Sequence, residues 1–199
     1  MIQNPRVPGR AGEMAFFEQM AECREPYRRL AQCIEEIAQP TSVLDIGCGC
    51  GHVITYFAEK RIAYCPVFGV DGDVESRKWS EKPELIRIAD LRVSTWFSVN
   101  FDLVICTETA EHIDEKFADV LVETVAHHTE RMLVWSAAQP GQEWPGHVNL
   151  QFPEYWTAKL ALYGLRVDEE KTATLRARML ETHAQHEYCA SNFVVMVRT

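Results

Sequence analysis

The chain has 199 residues, of which 47% are hydrophobic and 25% charged, and a formal net charge of −9. That composition describes one globular domain with enough apolar sequence for a full core. The acidic balance excludes a broad phosphate-binding surface, because nucleic-acid binders concentrate positive charge. The basic stretch REPYRR, at 24–29, is too local to reverse this, so a small or neutral substrate, or a basic partner, fits better.

The opening MIQNPRVPGRAGEM lacks the apolar stretch of a signal peptide, and no apolar run reaches membrane-spanning length. A cytoplasmic protein, monomeric or homodimeric, is expected. The seven cysteines, at 23, 33, 48, 50, 65, 106 and 189, are odd in number and scattered. Cys48 and Cys50 have no second pair at zinc-ribbon spacing, so free thiols in a reducing compartment are expected.

Residues 11–38 carry apolar positions at helical spacing and predict two helices broken at Pro26. PTS then ends the helical stretch, and a regular alternation begins. Short β-branched runs at 42–46, 66–71, 84–89, 101–106 and 131–136 predict strands, with later runs at 165–171 and 192–198. Helical stretches at 51–61 and 114–128 separate the earlier runs, and the charged segment 172–190 contains a further helix. Such alternation predicts a largely parallel sheet covered on both faces, an α/β three-layer sandwich. The last two runs lack the crossover rhythm and point to an antiparallel end. The expected organisation is a helical cap over 1–40 on a core over 41–199. In such sheets ligands bind beyond the carboxyl ends of the strands.

The first strand ends in VLDIGCGCGH, residues 43–52, which sets Gly47, Gly49 and Gly51 between strand and helix. Glycine there allows a tight turn and a close approach by a ligand. The third glycine of a dinucleotide fingerprint would stand at position 52, which is His52, and the Gly-Lys-Ser/Thr of a phosphate loop is absent. Asp45, two residues before the first glycine, would repel a pyrophosphate but suits a ligand with an ammonium group. S-Adenosylmethionine has that group, and its carboxylate suits the exposed amides of the turn. The second strand ends in GVDGD, where Asp71 is placed to accept ribose hydroxyls. The third ends in IADL, where Asp90 could accept an adenine amino group and Leu91 could offer an apolar wall. Each acid alone reads as a turn residue; three in order after successive strands read as a site.

With VLDIGCGCGH, VFGVDGD, IRIADL and FDLVICTETAEHI in place, residues 40–170 resemble a class I S-adenosylmethionine-dependent methyltransferase. The resemblance implies a Rossmann-like, seven-stranded sheet whose last strand, near 192–198, is antiparallel. It implies that Asp45, Gly47, Cys48, Gly49, Asp71, Gly72, Asp90, Leu91 and Thr107 bind the cofactor. The N-terminal helices have no counterpart in that family's common core, and serve either as packing or as a lid.

The fourth strand ends in CTETAEHID, 106–114, where positions three and four apart would share one face of a helix. The Asn/Asp-Pro-Pro-Tyr/Phe loop of amine methyltransferases is absent, which disfavours DNA or amide N-methylation and favours oxygen or another small-molecule acceptor. Glu108, Glu111 and His112 resemble the ligand set of metal-dependent small-RNA terminal 2′-O-methyltransferases and ubiquinone-pathway O-methyltransferases. There a later histidine joins the set, and PGHVNLQFPEYW supplies His147. The four residues either hold Mg or Mn, which would activate an acceptor oxygen, or shape the pocket. Without a metal His147 is the candidate base, since imidazole titrates near neutrality, with Glu108 as the second candidate catalytic residue.

His127 and His128 close a helix, and His183 and His186 fall on an expected surface helix with Glu187. Trp144, in the loop after the fifth strand, could face an apolar or sugar-like acceptor. The expected activity is methyl transfer from S-adenosylmethionine to the hydroxyl of a small molecule, such as a secondary metabolite, quinone precursor or saccharide. Metal-assisted RNA 2′-O-methylation, or a non-catalytic cofactor-binding module that works with a partner, are the alternatives.

Overall fold

The computed structural model describes residues 16–60, 66–94, 97–182 and 190–199. Two helices open it, α1 (Phe16–Glu22) and α2 (Arg24–Ala38). The break falls at Cys23 and not at Pro26. Pro26 lies in the first turn of α2, where a missing N–H leaves no bond unmade. Strand β1 (Val43–Ile46) follows, then α3 (His52–Glu59), β2 (Val67–Asp71), the short α4 (Glu75–Lys78) and β3 (Ile86–Ile88). The second half runs β4 (Phe101–Thr107), α5 (Ala118–His128), β5 (Thr129–Ser136), α6 (Pro153–Ala161), β6 (Leu165–Val167), α7 (Glu169–Thr182) and β7 (Val194–Arg198).

The strands form one seven-stranded sheet in the order β3-β2-β1-β4-β5-β7-β6. Strand β7 is antiparallel to both β5 and β6, and the other pairings are parallel. Strand order reverses between β1 and β4, the switch point beyond whose carboxyl ends ligands bind in sheets of this kind. Alternation along β4 explains the layers. Val104 and Cys106 join α5 and α6 residues such as Leu121, Val125, Trp156 and Leu160 on one face. Leu103 and Ile105 join Ile34 of α2, Ile54 and Phe57 of α3 and Leu175 of α7 on the other. A strand buried on both faces needs a continuous apolar run, and VLDI and FDLVIC supply one.

Two local departures have physical causes. The run at 165–171 is strand only to Val167, because Asp168 accepts the Lys171 N–H through Oδ1 at 3.0 Å and starts a helix. His128 closes α5 as expected but is fully buried, accepting the Phe97 N–H at 3.2 Å through Nε2, with Nδ1 3.3 Å from the Val99 carbonyl. The described cysteines, 23, 33, 48, 50 and 106, are free. His183, His186 and Glu187 lie outside the described residues. Among the described residues no helix is long and apolar enough to cross a membrane.

Candidate active site

The loop after β1 is held by its own backbone. The N–H groups of Gly47 and Cys48 both donate to the Val70 carbonyl, at 2.8 and 3.0 Å. Gly47 has φ +79°, and a Cβ there would stand 2.1 Å from Thr109 Oγ1. That is the close packing of β1 against the start of the segment after β4. Gly47→Ala should therefore destabilise the fold by roughly 2 kcal/mol or more, combining left-handed strain with overpacking. Thermal melts would show it as a loss of several degrees, and an unchanged melt would refute the packing argument.

Asp45 is only 4% exposed. Burial, and then the charge of Asp71, push its pKa up to about 7. A buried carboxylate of this kind is uncompensated until a cation arrives. Asp71 accepts the Gly49 N–H through Oδ2 and the Asp73 N–H through Oδ1, both at 2.8 Å, and so ties β2 to the glycine loop. Burial raises its pKa, and those amide bonds oppose the rise. Gly72 is exposed in the same turn. Asp90 makes a two-pronged pair with Arg92, Nε to Oδ1 and Nη2 to Oδ2, each 2.8 Å, which holds its pKa low. Beside it Leu91 is buried. The Cys48 thiol is raised well above its ordinary pKa by burial, so it is an inert wall and not a nucleophile. Thr107 ends β4, and its carbonyl accepts the Thr109 hydroxyl at 3.0 Å.

Helix α1 reaches this loop. The Met20 thioether accepts the Cys50 N–H at 3.4 Å, and the Met20 carbonyl lies 2.9 Å from His52 Nε2.

Beyond β4 the backbone turns abruptly. Glu108 adopts φ +48°, an uncommon conformation for a residue with a side chain, and its N–H donates to the Ser136 carbonyl at 3.0 Å. The expected helix after β4 is instead a 3₁₀ turn at Ala110–His112. Glu111 is fully buried, and neither of its carboxylate oxygens has a hydrogen-bond partner. Burial, then the neighbouring Glu108 charge, push its pKa to about 8. Its carbonyl accepts the N–H groups of Val148 and Asn149, at 2.8 and 3.1 Å, which pins the loop carrying His147.

His112 Nδ1 lies 3.1 Å from the Gly146 carbonyl, and His147 Nδ1 lies 2.8 Å from the Gln142 carbonyl. A carbonyl only accepts, so in both rings Nδ1 carries the hydrogen and Nε2 keeps a lone pair. The rings meet edge to face, 4.9 Å between centroids. Partial desolvation and then His147 hold the His112 pKa below its ordinary value. Potential ligand atoms of Glu111, His112 and His147 all lie within 4.8 Å of one another. An orphaned carboxylate facing two imidazoles whose far nitrogens are carbonyl-bound fits a divalent cation with mixed oxygen and nitrogen ligands. Glu108 is not in this group; its Oε1 accepts from Asn192 Nδ2 at 3.3 Å. Asn192, Gln139 and Gln142, which meet there, were missed because the sequence shows Asn192 only as the first residue of a strand run.

A family model described as a methyltransferase domain matches residues 16–170. The chain belongs to that family. Sheet order and glycine loop make this methyltransferase a class I, S-adenosylmethionine-dependent one. Among curated proteins none matches it significantly in sequence. Similar solved structures share the methyltransferase's fold at low identity. The plantazolicin methyltransferase BpumL, in complex with a monoazolic desmethylPZN analogue and S-adenosylhomocysteine, is 12% identical, with a TM-score of 0.65 over 92% of this chain and 89% of its own. A TehB-like methyltransferase from Corynebacterium glutamicum is 19% identical, with a TM-score of 0.61 over 86% of each chain. Magnesium protoporphyrin IX methyltransferase from Synechocystis, with bound S-adenosylhomocysteine, is 17% identical, with a TM-score of 0.60 over 98% and 92%.

Proposed function

We propose that this methyltransferase methylates a hydroxyl oxygen of a small-molecule acceptor, which enters at the carboxyl ends of β4 and β5. The observation that carries the reading is Glu111, a buried carboxylate without a hydrogen bond, beside the unencumbered Nε2 atoms of His112 and His147.

S-Adenosylmethionine supplies an already activated methyl group, so the chain's task is alignment and removal of one proton. Alignment alone is worth roughly 7–11 kcal/mol of barrier. In this reading Asp45, ionised, takes the cofactor ammonium, and Asp71 and Asp90 take ribose and adenine at the next two strand ends. Gly47, Cys48 and Gly49 leave room for the carboxylate, with Gly72, Leu91 and Thr107 as walls. A divalent ion held by Glu111, His112 and His147 would supply Lewis acidity that lowers an acceptor hydroxyl's pKa. His147 offers the Nε2 lone pair that takes the proton when no ion is bound. Trp144, Val148 and Phe152 stand 67%, 63% and 57% exposed in the loop around His147, an apolar rim for the acceptor. The net charge of −9 speaks for a small acceptor over RNA.

The test is direct binding. S-Adenosylhomocysteine should bind by calorimetry with or without metal. Mn²⁺, followed by electron paramagnetic resonance, should bind the wild type and be lost in Glu111→Ala and His147→Ala. Cofactor binding without Mn²⁺ binding would remove the metal and leave His147 as base. Absence of cofactor binding would remove the whole reading.

A further inference from the structure

Three parts of the fold converge on one buried amide. Asn192, 1% exposed, sits two residues before β7, far in sequence from the acceptor end. Its Oδ1 accepts from Gln139 Nε2 at 2.9 Å and from Gln142 Nε2 at 3.3 Å. Its Nδ2 donates to Gln142 Oε1 at 3.0 Å and to Glu108 Oε1 at 3.3 Å. Both donors and both acceptor sites of the amide are thus used. Gln142 Oε1 also accepts the Gln139 N–H at 2.8 Å, and the Gln142 backbone carbonyl fixes His147 Nδ1 at 2.8 Å.

The result is one unbroken chain, Glu108–Asn192–Gln142–His147, linking the end of β4, the loop after β5 and the start of β7. A buried, saturated amide network is costly to break and rigid once made. Its two outer ends are the two groups at the acceptor end that most need orientation. Glu108 is held there by a donated N–H despite its left-handed backbone. His147 is held in the Nδ1–H tautomer, which leaves its Nε2 with the lone pair beside Glu111 and His112, whose potential ligand atoms lie within 4.8 Å of its own. A loop that needed only packing at this point would be served by an apolar side chain.

We propose that Asn192, acting through Gln142, is a positioning residue for the acceptor end: it sets the tautomer of His147 and the orientation of Glu108. The inference rests on the reading of His147 as a site residue. Its test separates the two.

The experiment compares wild type with Asn192→Leu, which removes the amide at similar volume, and with Asn192→Asp, which keeps the acceptor for both glutamine amides. Three readings are taken: S-adenosylhomocysteine affinity by calorimetry, Mn²⁺ affinity by paramagnetic resonance, and the His147 tautomer from imidazole ¹⁵N shifts of the metal-free protein above pH 8. Asn192→Leu should hold cofactor affinity within about twofold, lower Mn²⁺ affinity by about 10–100-fold, as loss of an outer-shell partner does, and mix the tautomers. Asn192→Asp should keep the Nδ1–H tautomer. An unchanged tautomer and unchanged Mn²⁺ affinity in Asn192→Leu would overturn the proposal, as would a mixed tautomer in Asn192→Asp. If the wild type binds no Mn²⁺, the metal fails but the tautomer still decides the role of Asn192. If Asn192→Leu does not bind cofactor, Gln142→Ala decides by the same readings.

Discussion

Replacing Asp45 with asparagine should weaken S-adenosylhomocysteine binding by about 30-fold or more, the scale of removing one member of a desolvated charge pair (about 2–5 kcal/mol). The reason is the burial of Asp45: at 4% exposure water competes little for its charge, and a bound ammonium is its natural partner. The pH dependence has a definite sign. Only the ionised carboxylate attracts the ammonium, and its pKa stands at about 7, raised by burial and by Asp71. Wild-type affinity should fall as pH drops below 7, approaching tenfold per unit, while the ligand's ammonium stays protonated throughout. The amide of Asp45→Asn does not titrate, so the variant's affinity should stay flat. Calorimetry from pH 5 to 7.5 on both proteins checks this; a wild type with no slope, or a variant within threefold of it, would refute the role.

How far the sequence reached depends on how local each cause is. Strand runs such as VLDI and FDLVIC were legible because a strand buried on both faces imposes its own composition. The glycine loop was legible because φ +79° at Gly47, with Thr109 packed against it, leaves little choice of residue. Boundaries failed where one side chain overrides a run. Asp168 accepts the Lys171 N–H and turns a strand run into a helix, and Pro26 is tolerated where a helix begins. The 3₁₀ turn at Ala110–His112 failed for another reason: Glu108 enters a left-handed conformation, which no pattern of polar and apolar residues announces. The convergence of Glu111, His112 and His147 could be anticipated because all leave the same end of the sheet. Asn192 could not, because its importance lies in partners 50 and 84 residues away.

Glu111→Gln should make the metal-free protein more stable at alkaline pH and no more stable at pH 5. In the folded state burial and Glu108 raise the Glu111 pKa from an ordinary 4.5 to about 8. Between those two values the folded chain binds a proton that the unfolded chain has lost. Stability therefore falls as pH rises through that window and levels off above it. A shift of this size costs on the order of 5 kcal/mol at the plateau, an upper bound, since each pKa unit corresponds to about 1.4 kcal/mol. Glutamine has nearly the same shape and no charge, so it removes the titration, and the carboxylate it replaces has no hydrogen bond to lose. The melting-temperature gap between variant and wild type, measured in EDTA, should open from near zero at pH 5 to several degrees at pH 9. Mn²⁺ should then reverse it, because an ion that binds only the folded wild type stabilises it in proportion to the logarithm of its concentration. A gap that does not grow with pH would show that Glu111 is not a strained buried acid. A gap that opens but ignores Mn²⁺ would mean that its charge is kept for something other than a metal. The cost at neutral pH is itself the argument for function: a chain with no use for this carboxylate gains stability by replacing it.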